Sequence, residues 1–377
     1  MMNAMEKSML LVDGAAAFEE ILHCVDHAQT SILINMFIWR EDTIGIRLAN
    51  AVLRAAERGV RVTISVDRVG MILERSEEHG RSFFHRAPDW MEWLKIVTLR
   101  MGYPKNCGKM EKESACEGLL EKLLSHPNIV VERNRKKNDH SKYYIFDGEI
   151  LIFGGINVED KECGADCAGR VYQDYMLKLE GEASVRAFMD KLERNLDTAD
   201  GYCFRMNNKT ISPAVFEMKE SFLSIIRSAQ RELVIVMAYF SAIPEIMDAI
   251  VDAWKRGVRI RILIPEQANF QNNSNRKTVS TLMKRCQNDI RVVLSPKMVH
   301  TKFIANERST MFGSCNITKL AFTLLGELDI ELKHEKEALI AQLRESVDEN
   351  FALSKEISDY RQISYSPLVA WLEGRFN

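Results

Sequence analysis

The chain has 377 residues, 46% of them hydrophobic, which is enough apolar material for two packed bodies or one large duplicated one without disulfide or metal staples. Basic and acidic side chains nearly cancel, 51 against 53, so there is no global positive field to hold a long polyanion, and nucleic acid is the less favoured partner. No run of about 18 apolar residues occurs anywhere, which excludes a membrane-spanning helix.

The opening "MMNAMEKSMLLVDGAAAFEEIL" passes from a short apolar run straight into an amphipathic pattern, which is not that of a secretory leader. "AQTSILINMFIW" then reads as an apolar strand. A helix follows, burying Leu48, Val52, Ala55 and Ala56, and it is stopped by Arg58-Gly59-Val60 before a second apolar strand. Between residues 71 and 116 lies a segment without counterpart later in the chain. Within it Pro88 reads as the first residue of a helix that sets Trp90, Trp93, Leu94, Val97 and Met101 on one face. With Phe83 and Phe84 before it and Arg86, Lys95, Arg100 and Lys105 around it, this face suits a bilayer interface; the bland alternative is a stripe packed into the core. The basic run Arg133, Arg135, Lys136 and Lys137 suits a lipid headgroup or a nucleic-acid backbone equally, or simply solvent.

"NDHSKYYIFDGEILIFGGIN" reads as a hairpin. His140 and Lys142 share a strand face, Asp147-Gly148 makes the turn, and Gly154-Gly155-x-Asn157 returns close to His140. Cys163 and Cys167 have no histidine nearby, so the eight cysteines read as free thiols of a reducing cytosol rather than as a zinc site. Apolar periodicity lapses from Leu196 to Pro213, which divides the chain into 1–200 and 201–377.

The second part repeats the first. "AQRELVIVMAYF" is a strand again, and Met247, Ile250, Val251 and Trp254 line a helix stopped by Arg256-Gly257-Val258. "VHTKFIANERSTMFGSCNIT" repeats the hairpin with His300, Lys302, a turn at Asn306 to Ser309, and Gly313-Ser314-x-Asn316. Strand-helix-strand repeats of this kind predict an α/β fold with mixed sheets flanked by helices.

These paired motifs resemble the signature of the phospholipase D superfamily, His-x-Lys-x4-Asp followed by Gly-Gly/Ser-x-Asn. The first copy matches at His140, Lys142, Asp147, Gly154, Gly155 and Asn157, while the second has Glu307 in the Asp place and a hairpin one residue shorter. "MFIWREDTIGIRLANAVLRAAERGVRVTISVDRVG" and "RVYQDYMLKLEGEASVRAF" look like the bacterial cardiolipin synthase branch, in members without transmembrane helices. The resemblance implies a duplicated phospholipase D fold with the active site at the pseudo-twofold join, where His140 and His300 flank one phosphate. It implies a phosphohistidine on His140, acid–base work by His300, and orienting carboxylates at Asp174 and Glu327. The residues themselves leave the reverse assignment of the histidines open.

The chemistry agrees with the residue types. Phosphodiester attack needs a nucleophile, a proton donor for the leaving alkoxide, and positive charge around the non-bridging oxygens. Two imidazoles, Lys142, Lys302, Asn157 and Asn316 supply all three, so neither a metal ion nor another cofactor is expected. The expected enzyme is a phosphatidyltransferase or phospholipase D, peripheral at the cytoplasmic face of an anionic phospholipid membrane, with a phospholipid as substrate. A nuclease of the same superfamily and a non-catalytic lipid-binding protein are the alternatives.

Overall fold

The computed structural model describes all residues except 1–6, 78–80, 86, 101–116, 136, 198–201, 334–335 and 375–377. The chain divides into two compact units, Met1–Asp190 and Lys191–Asn377.

In the first unit the strands are β1 (Lys7–Val12), β2 (Ser31–Met36), β3 (Arg61–Val66), β4 (Ile129–Glu132), β5 (Lys142–Phe146), β6 (Ile150–Gly154), β7 (Tyr172–Gln173) and β8 (Tyr175–Glu180). Seven of them form one mixed sheet in the order β1-β8-β6-β5-β2-β3-β4, parallel only from β2 to β4. Helices α1 (Asp13–His27), α2 (Thr43–Glu57) and α5 (Glu117–Ser125) share one apolar core with it through Phe18, Ile21, Leu48, Val52 and Leu123. Helix α6 (Glu182–Arg194) sets Phe188 against Tyr143 and Phe153, which alternate away from that core, so the sheet is covered on both faces. Helix α2 shows why the local sequence folds as it does. The Asp42 carboxylate accepts the Gly45 N–H at 3.0 Å to cap its start, and Gly59 at φ 96° supplies the left-handed exit that a side chain would resist.

The second unit has β9 (Tyr202–Asn208), β10 (Val215–Phe216), β11 (Glu232–Met237), β12 (Arg259–Pro265), β13 (Arg291–Ser295), β14 (Met298–Val299), β15 (Lys302–Asn306), β16 (Thr310–Gly313), β17 (Glu327–Leu332) and β18 (Lys355–Ile357). Its sheet runs β10-β9-β17-β16-β15-β11-β12-β13-β18, and the inner order matches β8-β6-β5-β2-β3-β4 strand for strand. Helices α7 (Met218–Ser228), α8 (Pro244–Lys255), α9 (Asn272–Arg285) and α10 (Lys319–Thr323) share its main core. Helix α11 (Glu337–Leu353) buries Phe351, which Arg261 covers at 4.2 Å, and α12 (Pro367–Glu373) lies against α9, where Ser274 Oγ donates to the Ala370 carbonyl.

The segment unmatched in the second unit carries α3 (Gly70–Ser76) and α4 (Trp90–Arg100). Helix α4 packs on α3 through Ile96 against Met71 and Ile72. Its other side is open: Trp90, Trp93, Leu94 and Val97 are 74%, 57%, 50% and 37% exposed. Two expectations need correction here. Phe83 and Phe84 do not join this face but are buried beneath Trp39, with ring centroids 6.2 and 5.2 Å from it. The helix begins at Trp90 rather than Pro88, because Asp89 and Glu92 form a reciprocal cap with hydrogen bonds of 2.8 and 2.9 Å. Met101, Lys105 and Arg86 lie outside the described residues.

The same segment is held to the rest of the unit by buried charge. Arg40, at the end of the β2 strand region, pairs with Glu77 at 2.8 Å and with Glu159, while Lys161 pairs with the same two acids at 2.5 and 3.1 Å. Glu74 accepts the Trp39 N–H at 2.7 Å, and burial pushes its carboxyl up to about 8. Cys24, Cys163, Cys203, Cys286 and Cys315 are free thiols, but Cys167 departs from that expectation and is disulfide-bonded. Cys163 and Cys167 therefore do not offer a pair of thiolates to zinc. Among the described residues no helix is long and apolar enough to cross a membrane.

Candidate active site

Each unit places its motif on a central hairpin, β5–β6 or β15–β16. At the turn of the first, Asp147 and Gly148 take φ of 54° and 72°, the left-handed pair that an Asp-Gly turn adopts readily. The Asp147 carboxylate accepts N–H groups from Gln29, Thr30 and Ser31 at 2.7–2.9 Å. Burial works to raise its pKa, but these donors and the Thr30 hydroxyl hold it below the usual range. Glu307 does the same in the second unit, accepting from Gln230 at 2.9 Å and Arg231 at 3.4 Å. Its extra methylene spans the gap left by the shorter hairpin. Both acids sit at the far end of the strand from the lysine, roughly 16 Å away at about 3.3 Å per residue. Asp147 and Glu307 thus anchor hairpins, a different place from the one that grouping them with the catalytic residues implies.

The histidines lie just before β5 and β15, where the backbone is irregular. Lys142 and Lys302 are buried, 0% and 1% exposed, and each ammonium donates to the backbone carbonyl of its own histidine two residues earlier. An imidazole and a cation are thereby fixed as one unit in each half. His140 meets Phe37 edge-on at 4.8 Å between centroids, and Lys142 lies 5.5 Å from the same ring. His300 instead meets Tyr239, at 6.0 Å, whose hydroxyl donates to Asn269 at 2.8 Å. Asn157 and Asn316 are buried beside them. Asn316 Oδ1 accepts the Tyr239 N–H at 3.2 Å, whereas Asn157 Oδ1 has no hydrogen-bond donor among the described residues.

Register makes Asp174 and Glu327 equivalent despite their different spacing from the asparagines. Gly154 pairs with Met176 and Gly313 with Asp329, so each acid stands two residues before the partner of the hairpin glycine. The extra residues of the first unit are taken up by a 3-10 turn at Asp160–Cys163 and the loop after it. The Gly-Gly of one motif and the Gly-Ser of the other follow from these acids. A Cβ on Gly155 would lie 2.2 Å from Asp174 Oδ2, while Ser314 uses its hydroxyl to donate to Glu327 at 2.5 Å.

Sequence reading missed Asp329. It is fully buried, accepts the Cys315 N–H at 2.9 Å, and has no donor to Oδ2 among the described residues. Burial pushes its carboxyl well above the usual range and Glu327 adds to this, against the pull of the Cys315 and Ser314 N–H groups and Lys302. The signal was the alternation Glu327-x-Asp329-x-Glu331, which puts three acids on one strand face. The basic run before His140 is less open than it read. Lys137 is bound to Glu132 at 2.8 Å and to Ser65, Arg133 donates to the Phe84 carbonyl at 3.2 Å, and Lys136 lies outside the described residues.

Among the described residues one group, Glu20, His23 and Cys24 on α1, gathers potential metal ligands within 4.8 Å. Lys178 already holds Glu20 at 2.8 Å, and burial pushes the Cys24 thiol up to about 12, both adverse to a bound cation.

The family model described as "Cardiolipin synthase, PLD-like domain" matches residues 21–196 and 222–351, which takes in both hairpins. The chain belongs to this family. Relatives within reach of the cardiolipin synthase PLD-like family include cardiolipin synthase 2 of Staphylococcus epidermidis, 22% identical over 97% of this chain and 72% of the relative. Cardiolipin synthase A of Pseudomonas aeruginosa is 24% identical over 93% of this chain and 68% of its own length. Cardiolipin synthase B of Shigella flexneri is 23% identical over 68% of this chain and 59% of that protein. Among solved structures, phosphatidylserine synthase of Haemophilus influenzae aligns over 98% of this chain and 92% of its own, with a TM-score of 0.68 at 13% identity, a likeness of fold.

Proposed function

We propose that the protein is a cardiolipin synthase-like phosphatidyltransferase that works on glycerophospholipid phosphodiesters through a phosphohistidine. The observation that carries this reading is the duplication itself: each unit holds a histidine, a buried lysine bonded to that histidine's carbonyl, and a buried asparagine. His140 attacks phosphorus as the bond to the headgroup oxygen breaks, and His300 gives that oxygen its proton. In the second step the acceptor hydroxyl passes its proton to His300 and attacks phosphorus, and the bond to His140 breaks. Lys142, Lys302, Asn157 and Asn316 face the charge that gathers on the non-bridging oxygens. Asp174 and Glu327 steady the imidazoles. The reading requires His140 and His300 to act on one and the same phosphate.

The membrane is approached by α4. Its open face adds burial of Trp90, Trp93 and Leu94 to attraction between nearby basic residues and anionic lipid, about 1 kcal/mol for each cation near the surface. This suits a peripheral enzyme taking a diacyl substrate. The family and the names of the relatives support lipid as the substrate class.

The test is incubation with phosphatidylglycerol vesicles and, separately, with single-stranded DNA. Cardiolipin or phosphatidic acid is the expected product, with strands left intact and activity surviving EDTA. Cleaved DNA without lipid turnover would make the protein a nuclease, and loss under EDTA restored by a divalent ion would point to another chemistry. Trp90→Ala with Trp93→Ala should weaken vesicle binding while a short-chain soluble diester is still processed.

A further inference from the structure

In sheets with parallel strands, ligand clefts open at the carboxyl ends of those strands. Strands β11, β12 and β13 run parallel, and His300 stands at the amino end of antiparallel β15, hence at the same edge. Two loops of the second unit rise there, one after β11 and one after β12, and they are bolted together. Asn275 accepts the Phe240 N–H at 2.6 Å and donates to the Ala238 carbonyl at 2.8 Å, gripping the backbone on either side of Tyr239.

Tyr239 is the hub. Its ring meets His300 and Phe270, its N–H holds Asn316, and its hydroxyl holds Asn269. Asn269 and Gln271 are buried, and Gln271 is held at a left-handed φ of 58° with no donor to Oε1 among the described residues. Ala268 to Gln271 contains no charged side chain.

The first unit is built differently at the same edge. Ile38 occupies the place of Tyr239, and the turn after β3 carries Asp67 and Arg68, engaged with the Asp139 N–H at 2.6 Å and with Glu92 at 2.8 Å. Only the second histidine therefore stands beside a neutral wall of phenol and amides. Such groups both donate and accept, which matches hydroxyls and offers no countercharge to an amine.

We propose that Tyr239 and Asn269, with Gln271 beside them, form the alcohol subsite of the enzyme and select an uncharged polyol such as glycerol, as leaving group and as acceptor. This rests on the phosphatidyltransferase reading and deepens it, since the histidine that protonates and deprotonates the alcohol must adjoin the pocket that holds it.

The experiment follows transfer from phosphatidyl-p-nitrophenol in the full-length protein, with glycerol or ethanolamine as acceptor. The wild type should prefer glycerol. Tyr239→Phe and Asn269→Ala should each raise the KM for glycerol about tenfold, the scale of one lost hydrogen bond in a buried site, while kcat changes by less than about threefold. Asn269→Asp keeps the size and acceptor of the residue and adds a negative charge, so it should move preference towards ethanolamine. An unchanged glycerol KM in folded Tyr239→Phe, or an unchanged acceptor preference in folded Asn269→Asp, overturns the subsite. A wild type that releases p-nitrophenol and transfers to both acceptors without preference also overturns the subsite and leaves the transferase intact, whereas release with hydrolysis alone overturns both. A wild type that releases none overturns the transferase reading itself.

Discussion

Lys142 and Lys302 occupy the same register in their two sheets, each beside the hairpin glycine, yet the strand beyond that glycine presents Met176 in the first half and Asp329 in the second. The aromatic neighbours differ in the same sense, Phe37 against His140 and Tyr239 against His300. Duplication has kept the groups that both halves need, imidazole, ammonium and amide, and has let the surroundings diverge. His140 has the Phe37 ring edge-on against it, as suits the proposed nucleophile. The other stands beside the Tyr239 ring and the Asn269 and Asn316 amides that Tyr239 holds, as the proposed proton-carrying role would use.

The largest expected effect tests this division directly. His140→Ala should abolish turnover on every substrate. His300→Ala should slow release of a natural alcohol by about a thousandfold, yet lose far less with p-nitrophenol, whose departure needs no proton. Equal losses on both substrates, measured as the first-turnover burst of product release before the acceptor must be deprotonated, would break the assignment.

Next come the lysines. Lys142→Met and Lys302→Met should each lower kcat by about a hundredfold, because each removes charge from the transition state and a bond that fixes the histidine backbone. The halves should then part company in stability. Lys302→Met leaves the Asp329 carboxyl facing no cation, so its melting temperature should fall faster towards alkaline pH than that of Lys142→Met. Parallel curves would mean that Asp329 and Lys302 do not sense one another.

The hairpin anchors should matter to folding rather than chemistry. Asp147→Ala removes the acceptor of several N–H groups and should cost about 2 kcal/mol in denaturant unfolding, with Glu307→Ala costing about 1 kcal/mol, since the latter holds fewer donors and one at longer range. Activity per folded molecule should survive in both. A collapse of kcat in a fully folded Asp147→Ala would return the residue to the reaction.

The smallest effect concerns pH. Burial makes Asp329 hold its proton in the folded chain well above the usual carboxylate range, whereas the unfolded chain releases it within that range. Over this window the folded state binds more protons, so the contribution is complete below about pH 4 and is lost as pH rises through the folded pKa. Asp329→Asn keeps an acceptor for Cys315 but cannot ionise, so its melting temperature relative to wild type should climb from pH 5 to pH 8. Glu74→Gln should behave alike in the first half between 4.5 and about 8. A flat difference for either variant would show that its acid is ionised throughout.

Much of this arrangement was legible in sequence because its signals are local. Asp147-Gly148 marks a turn, Arg-Gly-Val stops a helix in each half, and the paired hairpins agree on the strand order. What escaped depends on distant partners. The task of Asp147 is set by Gln29 to Ser31, more than a hundred residues away, and nothing near Asp147 announces it. Asp329 sits in an alternating acid-apolar pattern that reads as a half-exposed strand, but β17 lies inside a nine-stranded sheet and the residue is buried. Phe83 and Phe84 belong to an aromatic string by position and to the core by contact, and only Trp39 decides between the two.

The charge cluster around Arg40 bears on how this enzyme can be shortened or grafted. Trimming residues 71–116 to obtain a minimal transferase would remove Glu74 and Glu77 and leave Arg40 and Lys161 enclosed with Glu159 as their shared acid. An unbalanced enclosed cation costs about 3–5 kcal/mol, a large part of what a domain of this size has to lose. A viable truncation must therefore begin after Glu77 or replace both cations in the same step.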